Sequence, residues 1–531
     1  MASHHTEYHL HRLESPTLQM FIILLGAFMA ILDTSVVQVA IPTMEAELSA
    51  STDQIQWVLT GYLLVLGVLV PLSGWLTDRF GAKRLFIFSI ATFTLGSALC
   101  GMAWNLPSII IFRVIQGLGG GFMMPVAMSM IYLIFPPERR GAAMGVFGIV
   151  IMVAPALGPL LSGWLVQEAS WRLIFYINVP VGVVATILAV TRLYDFPHQV
   201  RAGLDIGGVI FTVTGFFSLL YGFSNVAQYG WHDWRVEPFV IAGVVLLAIL
   251  VWYELRQEHP LIQLRVFREY MYSMSLVISS LVYVSMFVGV FLMPLFLQNI
   301  MGYNALQTGE FLTPAALVSA VMMLISGRLF DRVGARPLGV VGLGVLALTT
   351  FGYTHLDLNS SAAFIQTLYI ARSIGMGLTM MPVTTAGMNT VPPQLISQGS
   401  ALSNTVRQSA ASLGTAILTN YLSQMQTLHA QHLAERLSLF SPQGVQYQAL
   451  VSRLAHEGMS LAQAQTQAGL LMYQTIQDRA FVSALDNTFW ISTLMAIAAW
   501  VLNLFFASAK EEAIRRGRRH GAGQQQAVVE M

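Results

Sequence analysis

Apolar residues fill this chain in long unbroken runs, and polar residues gather in short clusters between them. A helix that crosses a bilayer needs about 20 consecutive apolar residues, rising about 1.5 Å per residue. Runs of that size fall near 19–41, 56–77, 85–103, 107–134, 141–166, 171–191, 204–223, 238–254, 272–298, 309–330, 336–355, 361–386, 397–421 and 487–507. The pattern predicts an all-α membrane protein of fourteen spans, with both ends of the chain on one side. Glycine and proline inside many runs do not argue against helices, because neighbouring helices satisfy the freed backbone groups in a bundle. One polar interval is long: from about Leu422 to Asp486 the chain is rich in glutamine, and Leu454, Leu461, Leu470 and Leu471 recur loosely at helical spacing. That stretch predicts one or two amphipathic helices outside the membrane rather than a slack linker.

Charge orients the spans. Arg79, Lys83, Arg84, Arg139, Arg140, Arg192, Arg201, Arg256, Arg265, Arg268, Arg332, Arg336 and the tail from Lys510 to Arg519 all fall on one face, while the other face has Arg172 and Arg235 as its main exceptions. Basic loops stay in the cytoplasm, so both termini are expected there. The first run is longer than the apolar core of a signal peptide and has no small-residue cleavage site after it, so it reads as a retained span. His4, His5, His9 and His11 before it read as part of a cytoplasmic tail rather than a metal site.

Composition agrees with the pattern. Of 531 residues, 55% are hydrophobic and 10% charged, with a mean hydropathy of +0.64. Soluble domains carry about 25% charged residues. The net charge of +1 says nothing about partners. A single cysteine, Cys100, excludes a disulfide within one chain and a cysteine-built metal site. The chain has no phosphate-binding Gly-x-x-x-x-Gly-Lys loop and no ligand-spaced Asp, Glu or His cluster. No enzyme activity, metal, cofactor or nucleic-acid partner is therefore expected, and an ion gradient is left as the energy source.

The sequence repeats itself. Gly74-Trp75-Leu76-Thr77-Asp78-Arg79-Phe80-Gly81-Ala82-Lys83 follows the second run, and Gly327-Arg328-Leu329-Phe330-Asp331-Arg332-Val333-Gly334-Ala335-Arg336 follows the tenth. Arg113 and Arg372 each precede a Met-Met-Pro (Met123 to Pro125, Met380 to Pro382), and Pro136-Pro137 is echoed by Pro392-Pro393. Echoes in the same order indicate two six-helix halves, the arrangement of transporters built from parallel repeats. The expected divisions are a tail at 1–18, a bundle at 19–191, two extra spans at 192–270, a second bundle at 271–507 that includes the external stretch 422–486, and a tail at 508–531.

Within the spans, charges are few. An ionised Asp at the bilayer centre costs roughly 2.5 to 3.5 kcal/mol even on lenient scales, so intramembrane carboxylates are functional by default. Asp33 stands in the first run, with packing against the hydroxyls of Thr34 or Ser35 as the bland alternative. Desolvation favours a neutral carboxyl and a nearby cation an ionised one, so an Asp that alternates between such surroundings loads and releases a proton. Glu310, early in the tenth run, is the rival carboxylate, although a solvated helix-start Glu explains it equally well. Arg113 lies within the fourth run, as a functional charge or as one that snorkels to the external surface. Gly74, Asp78, Arg79, Gly81 and Lys83, with Asp331 and Arg332, form loops whose glycines permit tight turns and whose charges can pair across the halves. Gln38, Gln116, Met123, Met124, Tyr283, Phe287, Met381, Asn404 and Arg407 make a pool from which an adaptable pocket could be drawn.

These motifs resemble the major facilitator superfamily, and within it the fourteen-span multidrug/proton antiporters of the EmrB/QacA type, over nearly the whole chain. The signature is Gly-x-x-x-Asp-Arg-x-Gly-x-Lys at Gly74 to Lys83, joined by Leu32-Asp33-Thr34-Ser35-Val36-Val37-Gln38 in the first run and by Trp171 to Pro180 at the sixth. Ser35 and Gln38 depart from the family's Thr and Asn. The small-residue run around Gly145, Pro155, Gly158, Pro159 and Gly163 resembles the antiporter motif, with Ala154 and Ser162 in place of two glycines. The resemblance implies two six-helix bundles plus two central helices, with Arg113 beside Asp33 and proton-driven efflux of small hydrophobic or cationic drugs. The long external stretch resembles the EmrB branch, which implies the inner membrane of a Gram-negative bacterium, a periplasmic adaptor and an outer-membrane channel. An exporter of a single metabolite is the alternative by the same machinery, and a sensor that moves nothing is a third reading.

Overall fold

In a computed structural model, residues 15–196, 205–258, 260–435 and 442–506 are described. The histidine-bearing tail, Arg201 and the basic stretch from Lys510 lie outside them. The described residues are helical with no strand. In chain order the helices are α1 Pro16–Glu47, α2 Thr52–Phe80, α3 Ala82–Gly101, α4 Leu106–Ile134, α5 Arg140–Glu168, α6 Leu173–Arg192, α7 Ile206–Tyr229, α8 Glu237–Glu254, α9 Tyr270–Asn299, α10 Ala305–Val333, α11 Ala335–Gly352, α12 Ala362–Met388, α13 Ile396–Glu435, α14 Pro442–His456 and α15 Leu461–Leu504.

Local sequence sets these ends. Asn105 and Ser108 cap α4 reciprocally, as do Asn304 and Gln307 for α10 and Ser460 and Gln463 for α15, each satisfying backbone N–H groups that a helix start leaves open. Gly81 and Gly334 close α2 and α10 at φ 88° and 80°, a region that favours glycine. They occupy corresponding places in the two repeats. Hydroxyls within the apolar runs turn back on their own helix: Ser89 donates to Leu85 O at 2.7 Å and Thr350 to Leu346 O at 2.7 Å. No hydroxyl used in this way needs water.

Among the described residues, twelve helices are long and apolar enough to cross a membrane. Helices α12 and α13 stand where the sequence predicts two more spans, but their buried Arg372, Gln398 and Arg407 lower their apolarity and they fall outside that set. Helices α1 to α6 pack on one another, and α9 to α13 pack with α15. The two groups meet mainly along α5 against α10 and along α13 against α4 and α2. Helices α7 and α8 pair, and α7 lies on α2 and α13.

The interval 422–486 differs from a separate loop domain. Helix α13 runs 40 residues and α15 runs 44, so both continue through it from their apolar segments. At about 1.5 Å per residue these are roughly 60 and 66 Å long, twice the hydrocarbon thickness of about 30 Å. His429 and Asn487 join the two at 2.9 Å, and α14 packs along α15. A helical hairpin results.

Candidate functional site

Asp33 lies in the middle of α1 and its side chain is fully buried, as is that of Arg113 on α4. Arg113 Nη1 donates to Asp33 Oδ2 at 2.5 Å and to Gln116 Oε1 at 2.8 Å, and Nε donates to Val58 O at 3.0 Å. The guanidinium lies 4.0 Å from the ring centroid of Tyr62. Arg113 therefore points inward to Asp33 and does not snorkel. On the other carboxylate oxygen, Gln116 Nε2 donates to Asp33 Oδ1 at 2.8 Å and Asn178 Nδ2 does so at 3.2 Å. Ser97 accepts from both amides. The hydroxyls of Thr34 and Ser35 are engaged elsewhere, with Ala30 O and Pro155 O, so packing by neighbouring hydroxyls does not account for Asp33.

Packing delivers each member. Helices α3 and α4 touch closely because Gly96 faces Gln116, where an added Cβ would sit 2.5 Å from Gln116 Cα. Asn178 opens the last straight segment of α6 and projects from there toward Asp33. A buried pair of this kind is stabilised when its remaining hydrogen-bonding capacity is met, as it is at both oxygens of Asp33, whereas Arg113 Nη2 is buried without a hydrogen-bond partner. Arginine stays protonated at any working pH, so Arg113 is a permanent cation facing Asp33.

The other residues singled out in the sequence are distributed as follows. Glu310 is exposed near the start of α10 and makes no hydrogen bond or ion pair with the buried cluster. Gln116 belongs to that cluster and not to a substrate pocket. Gln38 is exposed. Met123 and Met381 are buried in apolar packing, Met381 against Gly148 at the meeting of the two bundles, and Met124 is half-buried. Tyr283 borders a small cleft with Thr379 and Met380. Arg407 lies 5.7 Å from the Tyr283 ring centroid and donates to Asn404 Oδ1 at 2.9 Å and to Met128 Sδ at 3.4 Å. The side chain of Phe287 is outside the described residues.

At the basic end the bundles are tied together. Gln398 Nε2 donates to Asp78 Oδ2 at 3.0 Å, beneath Gly74, where any Cβ would press on the Gln398 backbone. Asp331 accepts from Gly141 N and Ala142 N, at 3.0 Å each, at the first turn of α5. The charges thus meet an amide and a helix N-terminus, where the backbone N–H groups and the dipole favour an anion. Arg79 lies 5.6 Å from the Trp75 ring centroid; Arg332 is exposed and Lys83 half-buried. Arg140 Nη1 donates to Asn389 Oδ1 at 3.0 Å across the same seam.

On α5, Gly145 sits against Met323 O and Gly327 of α10, and Gly158 against Ser35 of α1. Ser162 donates to Val36 O at 2.8 Å. Pro155 lends its carbonyl to Ser35, Pro159 faces Gly309, and Gly163 borders open space. Helix α5 is continuous through both prolines.

Sequence reasoning missed Tyr62, Ser97, Asn178 and Gln398. Asn178 and Gln398 were visible only as neutral polar residues within apolar runs, and nothing in their spacing points to Asp33 or Asp78.

Comparison with known proteins agrees with the architecture. The Major Facilitator Superfamily model matches residues 23–415. The uncharacterized MFS-type transporter YhcA of Bacillus subtilis is 39% identical over 95% of this chain and 96% of its own. The multidrug resistance protein B homolog of Mycobacterium tuberculosis is 32% identical over 89% of this chain and 88% of its own, and the multidrug export protein EmrB of Haemophilus influenzae is 29% identical over 91% and 94%. Among solved structures, the proton:xylose symporter XylE aligns with a TM-score of 0.59 at 11% identity, covering 93% of this chain and 96% of its own, which is a likeness of fold. The chain belongs to the Major Facilitator Superfamily.

Proposed function

We propose that this protein exports small hydrophobic compounds across a cytoplasmic membrane in exchange for protons. The observation that carries the reading is the buried Asp33–Arg113 pair, held by Gln116 and Asn178 and sealed by Tyr62. Protonating Asp33 removes the counter-charge of a permanent cation and takes up one of the acceptor positions that Arg113, Gln116 and Asn178 share. The local network must then rearrange, and that links proton loading to helix movement. Relatives named for multidrug export and lincomycin resistance support hydrophobic drugs as substrates.

Helices α12 and α13 complete fourteen spans in this reading, since their polar side chains face the bundle interior and not lipid. Both termini then lie in the cytoplasm with the basic loops, and the ties at Asp78 and Asp331 close the cytoplasmic end. The α13–α15 hairpin projects from the opposite end. We assign it to a periplasmic adaptor that leads to an outer-membrane channel, which places the protein in the inner membrane of a Gram-negative cell.

The deciding experiment is transport in proteoliposomes under an imposed pH gradient, with the native protein compared against Asp33→Asn. Gradient-driven export by the native protein that is abolished in a folded Asp33→Asn variant is expected. Equal transport by both would falsify the coupling role of Asp33.

A further inference from the structure

The second bundle contains a buried arginine whose charge is not balanced. Arg372 on α12 faces α9 much as Arg113 on α4 faces α1, and it is 2% exposed. Nη2 donates to Ser285 O at 2.7 Å and Nη1 reaches Met376 Sδ at 3.4 Å, while Nε has no partner. No carboxylate of the described residues lies within ion-pair distance.

Where the first bundle presents Asp33 to Nη1 of its arginine, the second presents Gly289. A Cβ added to Gly289 would sit 2.5 Å from Arg372 Nη1. The repeat thus keeps the cation and replaces the acid with the one residue that has no side chain. Around this point the hydroxyls of Ser285 and Tyr353 are fully buried and also lack partners. Tyr353 lies in the same buried cluster as Tyr369, whose hydroxyl donates to Gly289 O at 3.1 Å and whose ring lies 3.3 Å from a Cβ added to Gly289. Beside them α9 has a π-helical turn, Val288–Leu292. Such turns widen a helix locally and are frequent at functional sites.

A buried guanidinium without a counter-ion is strongly disfavoured, and orphaned buried hydroxyls add to that. Arg372 Nε is a donor and both hydroxyls can donate, so an acceptor of negative charge beside Arg372 would balance the guanidinium and meet unpartnered donors around it. We propose that Arg372, Ser285 and Tyr353 form a binding site for a monovalent anionic group, which takes the place of the carboxylate that the second repeat lacks. The group is a carboxylate of the exported compound or a free halide. The carboxylate form rests on the export reading above, and the halide form does not.

The test is the thermal unfolding midpoint of the purified full-length protein in detergent, followed by tryptophan fluorescence. The protein is titrated with sodium chloride or sodium benzoate against an isethionate background at constant ionic strength. A ligand that binds only the folded state raises the midpoint in a saturable way. A rise with either anion is expected, lost in Arg372→Gln and shifted to about tenfold higher concentration in Ser285→Ala or Tyr353→Phe, each lacking one hydrogen bond to a charged ligand. The two hydroxyl variants keep the proposal testable should Arg372→Gln not fold. A rise with chloride alone identifies a resident halide, and a larger rise with benzoate identifies a substrate group. No rise with either anion, or a rise equal in native protein and all variants, overturns the site. Because the midpoint needs no transport, a failed site and a failed export function give different results: transport without a shift removes only the site, and a shift without transport removes only the export reading.

Discussion

At the scale of single residues, Asp33 and Arg113 stabilise each other and neither is comfortable alone. Breaking a buried pair from one side costs about 3 to 5 kcal/mol, because an uncompensated charge remains. Arg113→Gln should therefore lower the thermal midpoint of the detergent-solubilised protein more than Arg113→Gln combined with Asp33→Asn does. A double mutant as unstable as the sum of its parts would mean that the two side chains do not interact. Asp33 was legible in the sequence because a carboxylate inside an apolar run is conspicuous. Asn178 and Ser97 were not, since a neutral polar residue in a span is common and its partner is set by tertiary contact. Ser35 donates to Pro155 O, a bond that a Thr hydroxyl could also make, and nothing in the structure explains the departure from Thr.

At the scale of elements, the small residues of α5 divide into those that touch and those that do not. Gly158 packs directly on Ser35 and Gly163 meets nothing within 4 Å of an added Cβ. Gly158→Ala should separate α1 from α5 beside Asp33 and depress proteoliposome transport severely. Gly163→Ala should leave transport unchanged and add up to about 1 kcal/mol of helix propensity. Similar effects of the two substitutions on transport would show that composition, not contact, governs α5. The sequence marked the run as small but could not say which members are in contact, because that depends on the rotation of α5 against α1 and α10. Asp331 has the same lesson. Its side chain caps α5, so Asp331→Ala should weaken the tie at the basic end by about 1 kcal/mol. Faster thiol labelling of a cysteine placed at Ser397, which accepts from Ser129 at 3.3 Å where α13 meets α4, is the expected readout, and unchanged labelling would rule out a closing role.

At the scale of the whole molecule, two similar bundles treat charge differently. One holds a compensated pair and the other a lone guanidinium opposite a glycine, so the proposed proton site and the proposed anion site fall in different halves. The hairpin of α13, α14 and α15 stands apart from both. Deleting Pro442–His456 removes a helix that packs on α15, and it should spare transport in proteoliposomes while abolishing co-purification with an adaptor protein and drug resistance of cells. Retained resistance would discard the docking role. The sequence by itself determined the class, the helix positions, the repeat and the intramembrane charges, because run length and burial cost are local properties of the chain. Only the tertiary structure decided the partners: that Gln116 serves Asp33, that Asp331 meets a helix N-terminus, that α13 and α15 run on as one hairpin, and that Gly289 lies where an acid would complete the second pair. Each of these depends on how distant helices are rotated and brought into register, which helix periodicity leaves open.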